Sequence, residues 1–266
     1  MFELIRLGLQ VGWRGVGLRV LLPLALLVLV ASMLGSGFSG RQPSSVALDV
    51  GLTGLRLVLL VVALLWVQDL FARDIERKTV YFMLAYPVTR THYLLSRFLS
   101  VALLALVALA LTGGLLWLSM QVSSGYVQVT PVAMGHKYLL VLLGIWLDAL
   151  VVTAFALCIA SLSTTPFLPL ILGLCFGMAA RGLGPTLDYL MRGERSSALH
   201  SSLFGPVLEY AFLWLPDLSR LDWRPIALYD LPVDWGTSGL ATLSALGYIG
   251  LLLGLASAIF GRRDFT

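Results

Sequence analysis

The chain has 266 residues, of which 59% are hydrophobic and only 12% charged, with a net charge of +4. Soluble domains carry roughly 45–50% apolar and about 25% charged residues. A water-soluble globule of this size is therefore excluded, because too few charges remain to keep its exterior wet; lipid must replace water around most of the surface.

A helix needs about 20 mostly apolar residues to cross roughly 30 Å of hydrocarbon. Ahead of the first such run, Glu3, Arg6, Gln10 and Arg14 recur every three or four residues, with Phe2, Ile5, Leu9 and Trp13 on another face. This predicts an amphipathic helix over 1–17 that lies in the membrane interface. The segment is not a signal peptide: the apolar run that follows is long and no small-x-small cleavage site closes it.

Six runs meet the spanning criterion: 18–38, 52–71, 98–120, 138–162, 167–180 with some extension, and 238–260. The fifth is the weakest, interrupted by Pro169 and trailing into Arg181, Gly182, Leu183 and Gly184. None alternates with period two, which argues against barrel strands. The expected fold is an all-α membrane protein with six transmembrane helices, a single transmembrane domain over 1–266. Both cysteines, Cys158 and Cys175, fall inside apolar runs, where thiols behave as small hydrophobes.

Lys and Arg near span ends set the orientation. With the N-terminus in the cytoplasm, Arg6, Arg14, Arg19, Arg73, Arg77, Lys78, Arg90, Arg97, Arg262 and Arg263 fall inside. The short outer segments hold only Arg41, Arg56 and Lys137. Both termini are placed in the cytoplasm. Two polar segments remain. The first is a cytoplasmic connection, 73–97. The second is an outer segment, 182–236, containing Asp188, Glu194, Glu209, Asp217, Asp222, Asp230 and Asp234 and an apolar stretch at 203–215 too short to span. The latter reads as re-entrant or interfacial.

Signs of catalysis are missing. There is no phosphate-cradling Gly-x-x-x-x-Gly-Lys-Ser/Thr loop, no His-Glu-x-x-His, no Cys-x-x-Cys and no Gly-x-Ser-x-Gly. His92, His136 and His200 fall on connections on different sides of the membrane and cannot share a metal. Asp148, near the middle of the fourth span, is the notable intramembrane charge. A central Asp costs roughly 2.5–3.5 kcal/mol on insertion scales, so it faces a cavity or a partner. Its functional reading is a residue that lines a translocation path or pairs with Arg56 or Arg181; the other is a protonated or helix-paired structural group. Asp69 belongs to the cytoplasmic interface, one turn from Arg73.

The connection 73–97 carries the strongest pattern. Residues 79–86 hold Val80, Phe82, Met83 and Leu84 in a run too short to span. Pro87 ends the helix, and Thr89 can cap a second one beginning near Arg90. A short amphipathic helix flanked by charge needs something apolar to bury against, and a groove on a soluble partner fits.

On these residues the sequence resembles the permease subunits of ABC type-2 transporters. That family places Glu-x-Gly-Thr, Leu-Leu, Pro-Val-Ser/Thr-Arg and then Lys before its third span. Here Glu76, Thr79, Met83, Leu84, Pro87, Val88, Thr89, Arg90 and Arg97 stand in the corresponding places, with Lys78 for the usual glycine and Arg97 for the usual lysine. The resemblance implies that Glu76, Thr79, Phe82, Met83, Leu84, Pro87, Val88 and Arg90 form a coupling helix docking on a separate ABC ATPase subunit. ATP and Mg would be bound by that partner, and this chain would carry no cofactor. A second permease chain, as homodimer or paired half, would complete the transporter in a bacterial inner membrane.

Two further stretches, Leu215 to Arg224 and Ile259 to Phe265, resemble a subgroup linked to maturation of multicopper enzymes such as nitrous-oxide reductase. Some permeases of this class act on a periplasmic partner, and the outer segment, long for a connector, is expected to gate the outer mouth or to contact such a partner. Membrane lipids are expected to surround the chain; nucleic acid is not an expected partner. Two other readings stay open: a membrane enzyme using Asp148 and the outer segment, or a non-transporting scaffold or sensor in a membrane complex. Six spans without paired broken helices or a chain of buried carboxylates argue against an ion-coupled secondary transporter.

Overall fold

The computed structural model describes residues 2–76, 89–122, 132–163, 165–193 and 217–262. All its regular elements there are helical: α1 (Phe2–Arg14), α2 (Val16–Phe38), α3 (Pro43–Val67), α4 (Arg90–Val122), α5 (His136–Leu162), α6 (Leu168–Gly193), α7 (Arg224–Leu228) and α8 (Trp235–Arg262), with a 3-10 turn at Leu218–Leu221. α3 continues through a π-turn at Gln68–Ala72 and a last turn at Arg73–Glu76. Six helices, α2, α3, α4, α5, α6 and α8, are long and apolar enough to cross a membrane.

The six are not equivalent. In α3, α4 and α5, 67, 56 and 67% of the most apolar 18-residue stretch is buried, against 22, 28 and 22% in α2, α6 and α8. Three helices therefore form a centre and three present apolar side chains outward, among them Leu26, Leu27 and Leu34 on α2 and Leu240, Leu243 and Leu251 on α8. Lipid tails are as apolar as these side chains, so association inside the bilayer rests on close packing and hydrogen bonds rather than on expelling water. The contacts agree. The Tyr138 hydroxyl donates to the Gly113 carbonyl at 2.7 Å and the Trp146 indole to the Ala102 carbonyl at 3.1 Å. Residue numbers rise along α5 as they fall along α4, so the two helices are antiparallel.

Expected to lie along a membrane face, the N-terminal segment is a helix separated from α2 by Gly15, and its glycine face packs lengthwise on α4. Gly8 sits against Ser100 and Gly12 against Leu104, with no room for a Cβ at either place. The numbers rise together, so α1 and α4 run in the same direction where they touch. The Trp66 indole donates to the Gly12 carbonyl at 3.1 Å, and Asp69 accepts from the Val16 backbone N–H at 2.9 Å. Asp69 also pairs with Arg73 at 2.5 Å, the partner one turn on that the sequence suggests.

Two placements differ from the sequence reading. The fifth span, expected to trail off after 180, is the continuous helix α6, which passes through Pro169 in its first turn, where proline removes no helix bond, and continues past Gly182 and Gly184 to Gly193. Arg56, counted above with the short outer segments, lies inside α3, 8% exposed. The apolar stretch 203–215 lies outside the described residues.

Candidate functional site

α3 brings Asp49, Thr53 and Arg56 onto one face at intervals of four and three residues. α5 contributes Asp148, which has 0% exposure, and α6 contributes Arg181. Each of Arg56, Asp148 and Arg181 sits near the midpoint of its helix, about 18–20 Å from its start at 1.5 Å per residue. An ion there is viable only if paired and hydrogen-bonded, and all three are.

Arg56 donates from Nε to Asp148 Oδ2 at 2.9 Å, and Arg181 donates from Nε to the same oxygen at 3.1 Å and again from Nη2. Asp148 is therefore paired with both of the arginines the sequence offers as candidates. It is buried, with two guanidinium groups on its carboxylate.

The network then leaves the helices. Arg56 donates from Nη2 to the Leu218 carbonyl at 3.0 Å, and its Nη1 lies 3.3 Å from Asp222 Oδ2. Arg224 grips Asp222 with two parallel bonds, Nε to Oδ1 at 2.7 Å and Nη2 to Oδ2 at 2.6 Å. Such bidentate pairs are among the stronger charge-assisted contacts. Arg224 also reaches α3, donating to Asp49 Oδ1 at 3.2 Å and to the Thr53 hydroxyl. The result alternates in sign from end to end: Arg181, Asp148, Arg56, Asp222, Arg224, Asp49.

Residues 217–234, here called the strap, are held by this chain of charges. Burial pushes the Asp222 carboxyl up, but the Arg224 hydrogen bonds and the nearby Arg56 charge outweigh it and leave the group below the usual carboxylate range. The hydrogen bonds it donates to Asp222 raise the Arg224 guanidinium in turn. Apolar contacts support the strap, with Leu218, Leu221, Trp223, Ala227 and Leu228 all buried. Two glycines make room for it. A Cβ on Gly144 of α5 would stand 2.7 Å from the Leu221 carbonyl, and one on Gly184 of α6 would stand 2.9 Å from Asp217 Oδ1. Further along, the Ala133 N–H donates to the Ala227 carbonyl at 2.9 Å, and Lys137 bonds both the carbonyl and the carboxylate of Asp230.

The opposite end, where α3 stops and α4 starts, holds the stems of the connection 73–97. Asp74 accepts from the Tyr93 hydroxyl and from Arg97 Nη2, each at 2.8 Å. The Arg97 guanidinium lies over the Tyr93 ring, 5.1 Å from its centroid. Tyr93 stacks with Phe71 of the π-turn and Phe260 of α8, at centroid distances of 6.0 and 6.2 Å. Arg90, the first residue of α4, donates to the Phe260 and Gly261 carbonyls at 3.3 and 3.0 Å, which satisfies the end of α8. Glu76 is exposed at the last turn of the α3 extension. Thr79, Phe82, Met83, Leu84, Pro87 and Val88 lie outside the described residues.

Sequence reasoning assigned no role to Asp49, Thr53, Asp222 or Arg224. The spacing of Asp49, Thr53 and Arg56 on one face of an apolar helix was a usable signal. That Asp222 and Arg224 would meet them was not, since about 170 residues of chain separate the partners.

Six helices of spanning length, paired charges at mid-helix and an apolar exterior define a multi-pass membrane protein. Residues 10–180 match the family described as ABC-2 family transporter protein. This is well over half of the chain, which belongs to that family and is a transporter membrane component. No curated protein matches the sequence. The matched region contains Arg56 and Asp148 and ends just before Arg181 and the strap.

Proposed function

We propose that the chain is the permease half of an exporter-type ABC transporter, driven by separate ATPase subunits that dock on the connection 73–97. The family match over 10–180 carries this reading. The stems of the connection support it mechanically. Asp74 at the end of α3 is fastened to Tyr93 and Arg97 at the start of α4, and both helices belong to the buried centre. A push on residues 77–88 would therefore move α3 and α4 together. ATP acts only through its different affinity for the two conformations so coupled.

In this reading Glu76 and residues 79–90 face the ATPase, a second permease chain completes the pathway, and both termini lie in the cytoplasm of a bacterial inner membrane. Arg90 has a role of its own in holding the end of α8, so it links the docking segment to a third span. The strap lies at the far mouth, where it would gate the outer opening or contact a periplasmic partner; the resemblance of 215–224 to permeases linked to multicopper-enzyme maturation supports the latter.

The test is co-purification in mild detergent together with coupled ATPase activity. The wild-type chain should bring down a separately encoded ATPase and stimulate it. Met83→Glu should abolish association, by about tenfold or more in affinity if an apolar anchor is lost from a groove, while the chain still inserts. Unchanged coupled activity in that variant would show that the docking segment is wrongly assigned.

A further inference from the structure

Where α1 turns into α2 the surface carries two adjoining grooves of different character. One, of about 590 Å³, is the more charged: Val11 and Val16 line it beside Gln10, Arg14, Arg19, Asp69, Arg73 and Asp74. The other, of about 530 Å³, runs between α1 and α4 and is walled by Leu9, Trp13, Leu104 and Val107. Gln10 and Arg14 line both, so the two grooves share a border and are together called the channel.

The charges in the polar part do not cancel. Asp69 is taken by Arg73 and by the Val16 N–H. Asp74 is taken by Arg97 and Tyr93. Arg14 and Arg19 are exposed, and among the described residues neither has an ion-pair or hydrogen-bond partner. Two unopposed guanidinium groups at the head of an apolar groove match one class of ligand: a phosphate ester carrying an acyl chain. Trp13, half exposed on the apolar side, adds the amphipathic ring that favours the headgroup level of a bilayer.

We propose that this channel is a binding site for an anionic phospholipid. The headgroup phosphate lies between Arg14 and Arg19, and one acyl chain follows the apolar groove along α1 and α4. The inference is independent of the ATPase assignment. Its consequence is that α1 is fastened on one side by protein, through Gly8, Gly12 and Trp66, and on the other by lipid.

The full-length chain, reconstituted in phosphatidylcholine vesicles, tests this by quenching of Trp13. Vesicles are doped with acyl-brominated phosphatidylglycerol or with acyl-brominated phosphatidylcholine, and a Trp13→Phe chain supplies the background of the other tryptophans. The wild-type Trp13 signal should favour phosphatidylglycerol by roughly ten- to thirty-fold in relative affinity, as two arginines near a membrane surface allow. Arg14→Gln with Arg19→Gln should bring the ratio close to one, and Arg14→Lys with Arg19→Lys should retain most of it. Equal quenching by the two lipids in the wild type overturns the proposal, as does a preference that survives the glutamine pair. Should the glutamine pair fail to insert, Arg19→Gln alone must still lower the ratio by several-fold. Inorganic phosphate is added in a parallel arm; full competition by it would assign the site to a free phosphate and overturn the lipid reading.

Discussion

The two ends of the bundle use the same pair of residue types for opposite purposes. At the strap end three arginines and three aspartates alternate in a single file, from Arg181 through Asp148, Arg56, Asp222 and Arg224 to Asp49. Its inner members lie near the centres of three helices. At the stem end the pairs are separate, Asp69 with Arg73 and Asp74 with Arg97, and the unopposed Arg14 and Arg19 stand beside them. Position along the helices accounts for the difference. A charge at mid-helix must find all its partners within the protein, so the partners accumulate into a network that fastens distant segments. Charges near a membrane face keep access to water, headgroups or another subunit, and only some need a partner in the chain.

The comparison is broken most sharply at Asp148. Asp148→Ala leaves the Arg56 and Arg181 guanidiniums buried and facing each other. Removing one member of a buried ion pair costs about 3–5 kcal/mol, and a denaturing-detergent titration of the reconstituted chain should show a loss of that order. Asp69→Ala, at the stem end, should cost well under half as much. Equal losses at the two positions would remove the distinction between the ends.

A middle-sized effect is expected from Gly144→Leu. The new side chain meets the Leu221 carbonyl and the Trp223 ring, so the strap must lift or α5 must shift, at about 1–3 kcal/mol for an overpacked contact. A cysteine placed at Ser219, in a chain whose Cys158 and Cys175 are replaced by alanine, should react with a polar thiol reagent several-fold faster when Gly144→Leu is also present. Unaltered reactivity would mean that the glycine does not seat the strap.

The smallest effect is one of pH. Asp222 is held below the ordinary carboxylate range when folded, so the folded chain binds a proton there less readily than the unfolded chain. Its stabilisation is complete above the ordinary value of about 3.9 and is lost as pH falls from there through the depressed one. Asp222→Asn removes that component. Stability curves of wild type and variant should therefore converge between about pH 4 and lower values; parallel curves across that range would exclude Asp222 as the titrating group.

Much of this could be read before any coordinates. Six apolar runs of sufficient length correspond to the six helices of spanning length. The same reasoning found the fifth span and its weakness but ended it early, at 180. A first-turn proline is compatible with a helix, and Gly184 admits the strap rather than breaking the helix. Arg56 was counted with the outer segments for its charge although it falls inside the run 52–71, and its pairing with Asp148, for which the sequence offers it as one of two partners, places it in the interior.

Composition and periodicity are local properties, and they determined that this chain lives in lipid, crosses it as helices and carries a charged amphipathic connection between the second and third spans. Which ions are neutralised by which is decided by distance in space. Only the tertiary structure decided that Asp148 is shared by two arginines and that Arg224 returns to Thr53 and Asp49. It likewise decided that Arg14 and Arg19, alike in sequence to their paired neighbours, face an open groove.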